Sequence, residues 1–518
     1  MKTKHQPHRT ILRLEALEDR CLPSAGMLDP TFGIGGTVST SFGKSTEADA
    51  MVIQPDGKIV AAGSIEIPQT LNVGYFDLAR YNPDGSLDAT FGSKGEVTTK
   101  FGVRVSANAI ALQPDGKILE AGFSLTSAGD AFIIVRYNTN GSLDNTFGKK
   151  GVVTTIIGQA SKARSLDVET VNGVPKIVVA GDVWTTSGAG VFGLARYNLD
   201  GSLDTSFGSG GEVVTNISTD GVSFGLASLV QGDGKIVVAG NATIPGSREF
   251  AVARFNTDGS LDATFGSDGV ATTAIGLTSQ ALAVALQSNG DIVAGGWGNR
   301  TTEFTLARYT PSGALDPTFG SGGIVFTPQA NFLNGLAIQA DGKIIASGGG
   351  RTGNAGPSTL ARYNPDGTLD ATFGTSGIVT STFGTGNTAV VLQSDGKIVT
   401  TAVNNGNFGV ARYLPSDPQI GWFTASANPV TAGSNLTLTA GSITDANPGA
   451  SVTQVAFYVL VNGTNTLLGY GTQTSTGVWT LASTNTFGLS AGTYTLFAQA
   501  EDSYGVFGDP VAITLTVN

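Results

Sequence analysis

The phrase Leu-Asp-x-Thr/Ser-Phe-Gly occurs seven times, beginning at Leu28, Leu87, Leu143, Leu203, Leu261, Leu315 and Leu369. The steps between occurrences are 59, 56, 60, 58, 54 and 54 residues, so most of the chain is an array of one supersecondary unit. Such a unit cannot bury its apolar faces alone and must stack on its neighbours. The same regularity constrains function. A residue present in every unit serves the unit, and specificity must be sought where the units differ.

Within one unit, Ala107–Gln113 reads as a strand ending in the turn Pro114-Asp115-Gly116, and Lys117–Gly122 follows as a second strand. Ala131–Tyr137 is a third, and a Thr139-Asn140-Gly141 turn leads through the repeated phrase to a fourth, Gly151–Ile157. Asp-Gly and Asn-Gly supply the positive φ of tight hairpins, so the strands are expected to be antiparallel neighbours. Four such strands match a β-propeller blade. Second strands such as KIVVAG (Lys235–Gly240) are nearly continuous apolar runs, the pattern of a strand covered on both faces. The array begins in mid-unit at Leu28 and ends after three strands at Tyr413. The expected fold is therefore all-β: a seven-bladed propeller over 27–415, its last blade completed by the N-terminal strand Gly36–Phe42. Closing the ring this way leaves no unpaired edge. Trp422–Asn518 lacks the repeat and is rich in Thr and Ser. Its strand pattern predicts a second β-sandwich over 420–518, after an N-terminal segment 1–26 expected to be disordered.

Composition removes several function classes. A net charge of −11 gives no basic footprint for nucleic acid. The single cysteine, Cys21, and the two histidines, His5 and His8, all precede the array. The folded body thus has no thiolate or imidazole for zinc ligation or for a Ser-His-Asp triad. No stretch approaches the roughly 20 apolar residues of a membrane-spanning helix. Oxygen ligands cluster in Asn82–Asp88, but the spacing does not fit an EF-hand loop. Asp84 is replaced by Asn140 and Ser312 in other units, which suits a turn better than calcium. No cofactor is expected, and a monomer is expected.

Ala79–Gly92 (ARYNPDGSLDATFG) and Gln54–Ile59 (QPDGKI) resemble the delta-60 repeat family of bacterial β-propellers, a resemblance covering Leu28–Tyr413. It implies fold and an extracytoplasmic setting, and it carries no catalytic motif. LEDRCLPSA (Leu17–Ala25) is similar to the LEPR-XLL export motif, with Asp19 where that motif has proline. The C-terminal stretch, from Pro429-Val430-Thr431 to Val511–Val517, resembles a bacterial Ig-like module, which implies a spacer or adhesion unit.

The arginine closing each third strand (Arg80, Arg136, Arg196, Arg254, Arg308, Arg362, Arg412) and the aspartate of each Leu-Asp are expected to form structural, bidentate pairs. Candidate binding residues come from the connections that vary, between strands two and three and from strand four to the next unit. These carry Tyr75, Trp184, Arg248, Trp297, Arg300 and Arg351, aromatic and cationic groups suited to sugars or a protein partner. The expectation is an exported, non-enzymatic protein binding a glycan or protein at the cell surface or in the matrix. The alternative is a glycan-active enzyme using two carboxylates drawn from Glu66, Asp130, Asp182, Glu249 and Glu303.

Overall fold

The computed structural model describes residues 25–43, 46–65, 74–102, 104–219, 221–298, 303–328, 332–349, 356–415, 418–445, 451–461, 464–503, 508 and 510–518. Arg300, Arg351, Glu66, Cys21, His5, His8 and most of the export-like segment lie outside the described residues. The chain divides into Gly26–Pro415 and a second compact unit containing Ser416–Asn518. It is all-β; among the described residues the one helical element is the 3₁₀ turn Thr486–Gly488.

Five of the repeats each form a separate four-stranded antiparallel meander in sequence order. The first runs Thr46–Ile53, Ile59–Ile65, Tyr75–Tyr81 and Glu96–Lys100. Each is built around covered middle strands: Ile236–Ala242 and Phe250–Phe255 are buried throughout, as the continuous apolar runs predicted. Large side chains from adjacent repeats interdigitate, Phe132, Ile134 and Phe147 meeting Ile177, Val179 and Tyr197. Ala61 and Tyr81 of the first repeat meet Val399, Phe408 and Val410 of the last, and Phe32 of the N-terminal segment that joins it, in the same manner. Thr37–Thr40 pairs antiparallel with Asn407–Tyr413, placing Val38 opposite Val410.

One expectation needs correction. The fourth strand of repeat six and the first strand of repeat seven are not separate elements. They run together as Ile378–Leu392, so the two repeats and Thr37–Thr40 share one seven-stranded sheet. Across the connection Gly384 and Gly386 take positive φ (72° and 60°), and Thr385 between them pairs with Pro357 on one side and Val403 on the other.

The repeated arginine is a strut between repeats more than a partner within one. Its Nε donates to a single aspartate oxygen at 2.7–2.9 Å in all seven cases. The expected bidentate fork is therefore not the rule. The other aspartate oxygen is taken by the amide and hydroxyl two residues on, as Thr90 does for Asp88. The arginine's Nη1 instead donates to a turn carbonyl of the next repeat: Arg80 to Thr139, Arg136 to Leu199, Arg196 to Thr257, Arg254 to Pro311, Arg308 to Pro365 and Arg362 to Pro415. Arg412 reaches Pro83 of the first repeat in the same way. Each guanidinium also lies 4.3–4.7 Å over the phenylalanine ring of the repeated phrase. In the Asn82–Asp88 turn, Asp84 Oδ1 accepts from the amide and hydroxyl of Ser86, an Asx turn that fixes the hairpin.

The second unit consists of two four-stranded antiparallel sheets. Phe423, Leu438 and Trp479 from one sheet and Phe457, Leu496 and Leu515 from the other form a shared core. Among the described residues no helix is long and apolar enough to cross a membrane.

Candidate functional site

The innermost strand of each of the first six repeats carries one β-bulge, between Ala48 and Ala50, Ala107 and Ala109, Ala163 and Ser165, Gly225 and Ala227, Ala281 and Ala283, and Leu333 and Gly335. The extra residues are Asp49, Asn108, Arg164, Leu226, Leu282 and Asn334. Each lies five positions before the turn residue Gln54, Gln113, Glu169, Gln231, Gln287 or Gln339. A bulge re-aims the side chain it inserts.

The cause is legible one strand over. In six repeats a glycine of the second strand faces the bulge, and the inner-strand carbonyl presses against its Cα. A Cβ on Gly63, Gly122, Gly181, Gly240, Gly296 or Gly348 would lie 1.8–2.0 Å from the carbonyl oxygen of Glu47, Ser106, Lys162, Phe224, Gln280 or Phe332 respectively. No side chain fits there. Repeat seven has Ala402 at this place, and its inner strand accordingly breaks register twice, around Asn387, before Val390.

All six bulge residues, with Thr388 at the matching position of repeat seven, line one cavity of about 370 Å³. Glu47, Thr385, Gly386 and Val403 complete its wall. The repeats thus bring different side chains to the place where they converge. Two bulge side chains also clamp adjacent repeats: Asn108 Nδ2 donates to Ala163 O at 2.6 Å, and the Thr388 hydroxyl donates to Ala48 O. Leu226 and Leu282 give an apolar patch. Arg164 is held by Asp182, whose Oδ2 accepts from Nε at 2.8 Å. Burial raises the Asp182 pKa, and Arg164 and Lys162 oppose it.

Carboxyls crowd one side. Burial, reinforced by Glu47, raises the Asp49 pKa well above the ordinary carboxylate range. Glu120 is fully buried where other repeats have Ala61, Val179 or Ala294; its Oε2 accepts from Tyr137 at 3.2 Å. Burial, then Asp77, then Asp49 push it far up, against the Tyr137 hydrogen bond. Asp77 is also fully buried and accepts from Thr98 at 2.6 Å. Asp167, hydrogen-bonded by Ser228, is raised to about 7 by burial, with Glu169 adding. Among the described residues no group of three or more acids, histidines or cysteines could hold a metal ion.

The residues expected to bind ligand fall at the edge of this region or away from it. Trp184 packs 5.6 Å from Phe224, two residues before Leu226, and carries Lys162 Nζ 5.1 Å from its ring. Lys162 also lies 4.9 Å from Phe123, so Phe123, Lys162, Trp184 and Phe224 form one cluster. Trp297 meets Phe332 edge-on at 6.0 Å, and Phe332 stands two residues before Asn334. Tyr75 opens its strand opposite Lys100, half-buried. Arg248 is fixed through its backbone to Leu277 and Ser279. None of these four lines the cavity.

Nor do the described candidate acids. Asp130 pairs with Arg104 and Lys162, Asp182 with Arg164, and Glu249 accepts from Ser247. Glu303 begins the strand Glu303–Tyr309. The cavity's own acids, Glu47 and Asp49, were missed. Their signal was position, seven and five residues before the turn glutamine, in strands that otherwise carry alanine.

The family described as a domain of unknown function (DUF5122) β-propeller matches six segments: 54–91, 113–147, 176–207, 231–265, 287–319 and 339–373. Each runs from the region of the turn to the repeated phrase. No curated protein matches. Solved structures similar to this chain include the WD40 β-propeller domain of Doa1, at 12% identity, covering 73% of this chain and 97% of that one, with a TM-score of 0.41. An inactive virginiamycin B lyase from Staphylococcus aureus, bound to quinupristin, shows 12% identity over 73% of this chain and 99% of its own, with a TM-score of 0.43. An α-L-arabinanase from Penicillium chrysogenum, complexed with arabinobiose, shows 12% identity over 66% and 98%, with a TM-score of 0.38. The repeated four-stranded sheets and the family match support a β-propeller family for this chain.

Proposed function

We propose that this is an exported, non-enzymatic binding protein whose propeller takes its ligand at the cavity lined by the bulge residues. In this reading the repeats are delta-60-type blades, seven in number, forming a ring that Thr37–Thr40 closes. Arg412 reaching Pro83 supports closure, because it is the contact every other blade makes with its successor. The two-sheet C-terminal unit is read as an Ig-like spacer or adhesion module, and Leu17–Ala25 as an export signal.

One observation carries the binding assignment. Seven matching positions of differing chemistry (Asp, Asn, Arg, Leu, Leu, Asn, Thr) come together at one cavity, six of them on a bulge that the repeat's own glycine enforces. A structural ring would have no need of such variety. The test is a glycan and protein binding screen with the full chain and with Leu282→Trp, which fills the cavity. Binding that survives Leu282→Trp unchanged would remove the cavity from the assignment.

A second reading is favoured by the presence of two carboxylates, Glu47 and Asp49, in the cavity wall. A raised carboxyl beside an ionised one is the arrangement a glycoside hydrolase uses. Release of reducing sugar, lost on Asp49→Asn, would establish it.

A further inference from the structure

We infer that the cavity recognises a small polyhydroxylated cation, the chemistry of an unacetylated amino sugar. The inference rests on the cavity being the binding site and names what it takes. About 370 Å³ is at the small end of ligand cavities, which run from about 300 to 1,000 Å³, so the ligand is a sugar unit or two and not a polymer segment.

Three walls divide the recognition. Leu226 and Leu282 lie side by side on consecutive repeats and offer an apolar patch for the C–H face of a ring. Asn334 and Thr385 stand in the wall with amide and hydroxyl groups of the kind suited to sugar hydroxyls. Glu47 and Asp49 stand on a third side, backed by the fully buried Glu120, whose Oε1 has no hydrogen-bond partner among the described residues.

The balance of charge selects the cation. Arg164 is the one basic side chain in the wall, and its charge is met by Asp182, which is 2% exposed and leaves its own Oδ1 without a partner. Lys162 nearby is engaged by Asp130 at 3.6 Å and by the rings of Phe123 and Trp184. Asp49 has no ion pair among the described residues; Glu47 stands two residues before it in the same wall, and Asp49 acts electrostatically on Glu120 of the adjacent repeat. An ammonium beside Asp49 favours its ionised form against burial and these acids; a neutral sugar does not, and an anion opposes it. The aromatic cluster at Trp184 and Phe224 lies at the neighbouring strand ends, where a second sugar ring would emerge.

The test is calorimetric titration of the full chain with three disaccharides: β-1,4-linked diglucosamine, its di-N-acetyl form and cellobiose. Diglucosamine is expected to bind about tenfold or more tighter than either neutral sugar. Asp49→Asn, an isosteric change that also relieves carboxyl crowding, is expected to erase that preference while melting at or above the wild-type temperature. Equal affinity for all three sugars, or an undiminished preference in Asp49→Asn, would overturn the cation assignment and leave the cavity reading standing. Affinity unaffected by Leu282→Trp would overturn the cavity reading itself. Absence of diglucosamine binding at about 10 mM would likewise overturn the inference.

Discussion

Repeat five provides a controlled experiment on the arginine strut. In repeat four, Asp262 is met by Arg254 at 2.7 Å and by Lys235 at 3.1 Å. In repeat five the lysine position is Asp291, and Arg308 alone serves Asp316 at 2.7 Å and Asp291 at 3.8 Å. Replacing Arg254 by Met removes its bond to the Pro311 carbonyl and its contact with Phe265, but leaves Asp262 a cation. Replacing Arg308 by Met removes the equivalent bond and ring contact, and leaves two carboxylates facing each other without one. The shared losses cancel in the comparison, so the difference leaves the stranded acids and the single bond from Arg308 Nη1 to Gln287 Oε1 at 3.3 Å, which has no counterpart at Arg254.

Breaking a buried ion pair by removing one partner costs about 3–5 kcal/mol, largely the penalty of the uncompensated charge. Arg308→Met should fall at about 4–5 kcal/mol, and Arg254→Met, with Lys235 in place, at about 2. At about 2.1 cal/mol/K per residue, the roughly 390 residues of Gly26–Pro415 unfold with an entropy near 0.8 kcal/mol/K. Thermal melts should then drop by about 5–6 °C and about 2–3 °C respectively. Adding Asp291→Lys to Arg308→Met, which restores the lysine of the other repeats, should recover most of the excess. Equal shifts for the two single variants, or no recovery with Asp291→Lys, would refute the reasoning.

Three further outcomes are expected. Deleting residues 28–43 should expose the edge of Asn407–Tyr413 and lower the melting temperature or cause aggregation, relative to a chain beginning at residue 26; identical melts would refute ring closure. Gly240→Ala places a Cβ 1.8 Å from Phe224 O and should cost about 3 kcal/mol or more in denaturant titration, whereas Ala402→Gly should be neutral or mildly stabilising. Asp167, with a folded pKa of about 7 against the ordinary aspartate value of 3.8, favours the folded state below pH 4, and that contribution declines as pH rises toward 7. Asp167→Asn should therefore be more stable than wild type at pH 8 and gain nothing at pH 4; a gain independent of pH would show that the carboxyl is not the cause.

Much of the architecture was readable because the repeat states it seven times. Turn residues, apolar runs and the Arg-Tyr and Leu-Asp phrases recur in register, and each averages out the accidents of one copy. What the repeat could not convey is direction in space. Arg80 and Asp88 are close in sequence, so their pairing was legible; the bond from Arg80 to Thr139, 59 residues away, depends on how one sheet lies on the next. The fused strand Ile378–Leu392 escaped for the converse reason, since nothing in Phe383–Gly386 marks a connection that stays paired on both sides.

The cavity residues are harder to read from the sequence than the variable connections are. Those connections carry Trp184 and Trp297, which pack on Phe224 and Phe332 and do not line the cavity. The decisive variation is at fixed length, one residue per repeat, inside strands whose alanines suggested only crowding. The invariant neighbour was the better guide. A glycine at one place in six of the seven second strands has no role in a regular antiparallel pair, where any side chain fits. Six such glycines imply six inner carbonyls driven against them, hence six bulges, and a bulge in an innermost strand turns one side chain out of the pleat toward the axis. The residue so turned is Asp49, Asn108, Arg164, Leu226, Leu282 or Asn334. Structure here is conserved between repeats in the glycine, so that chemistry can differ between them in the residue the glycine displaces.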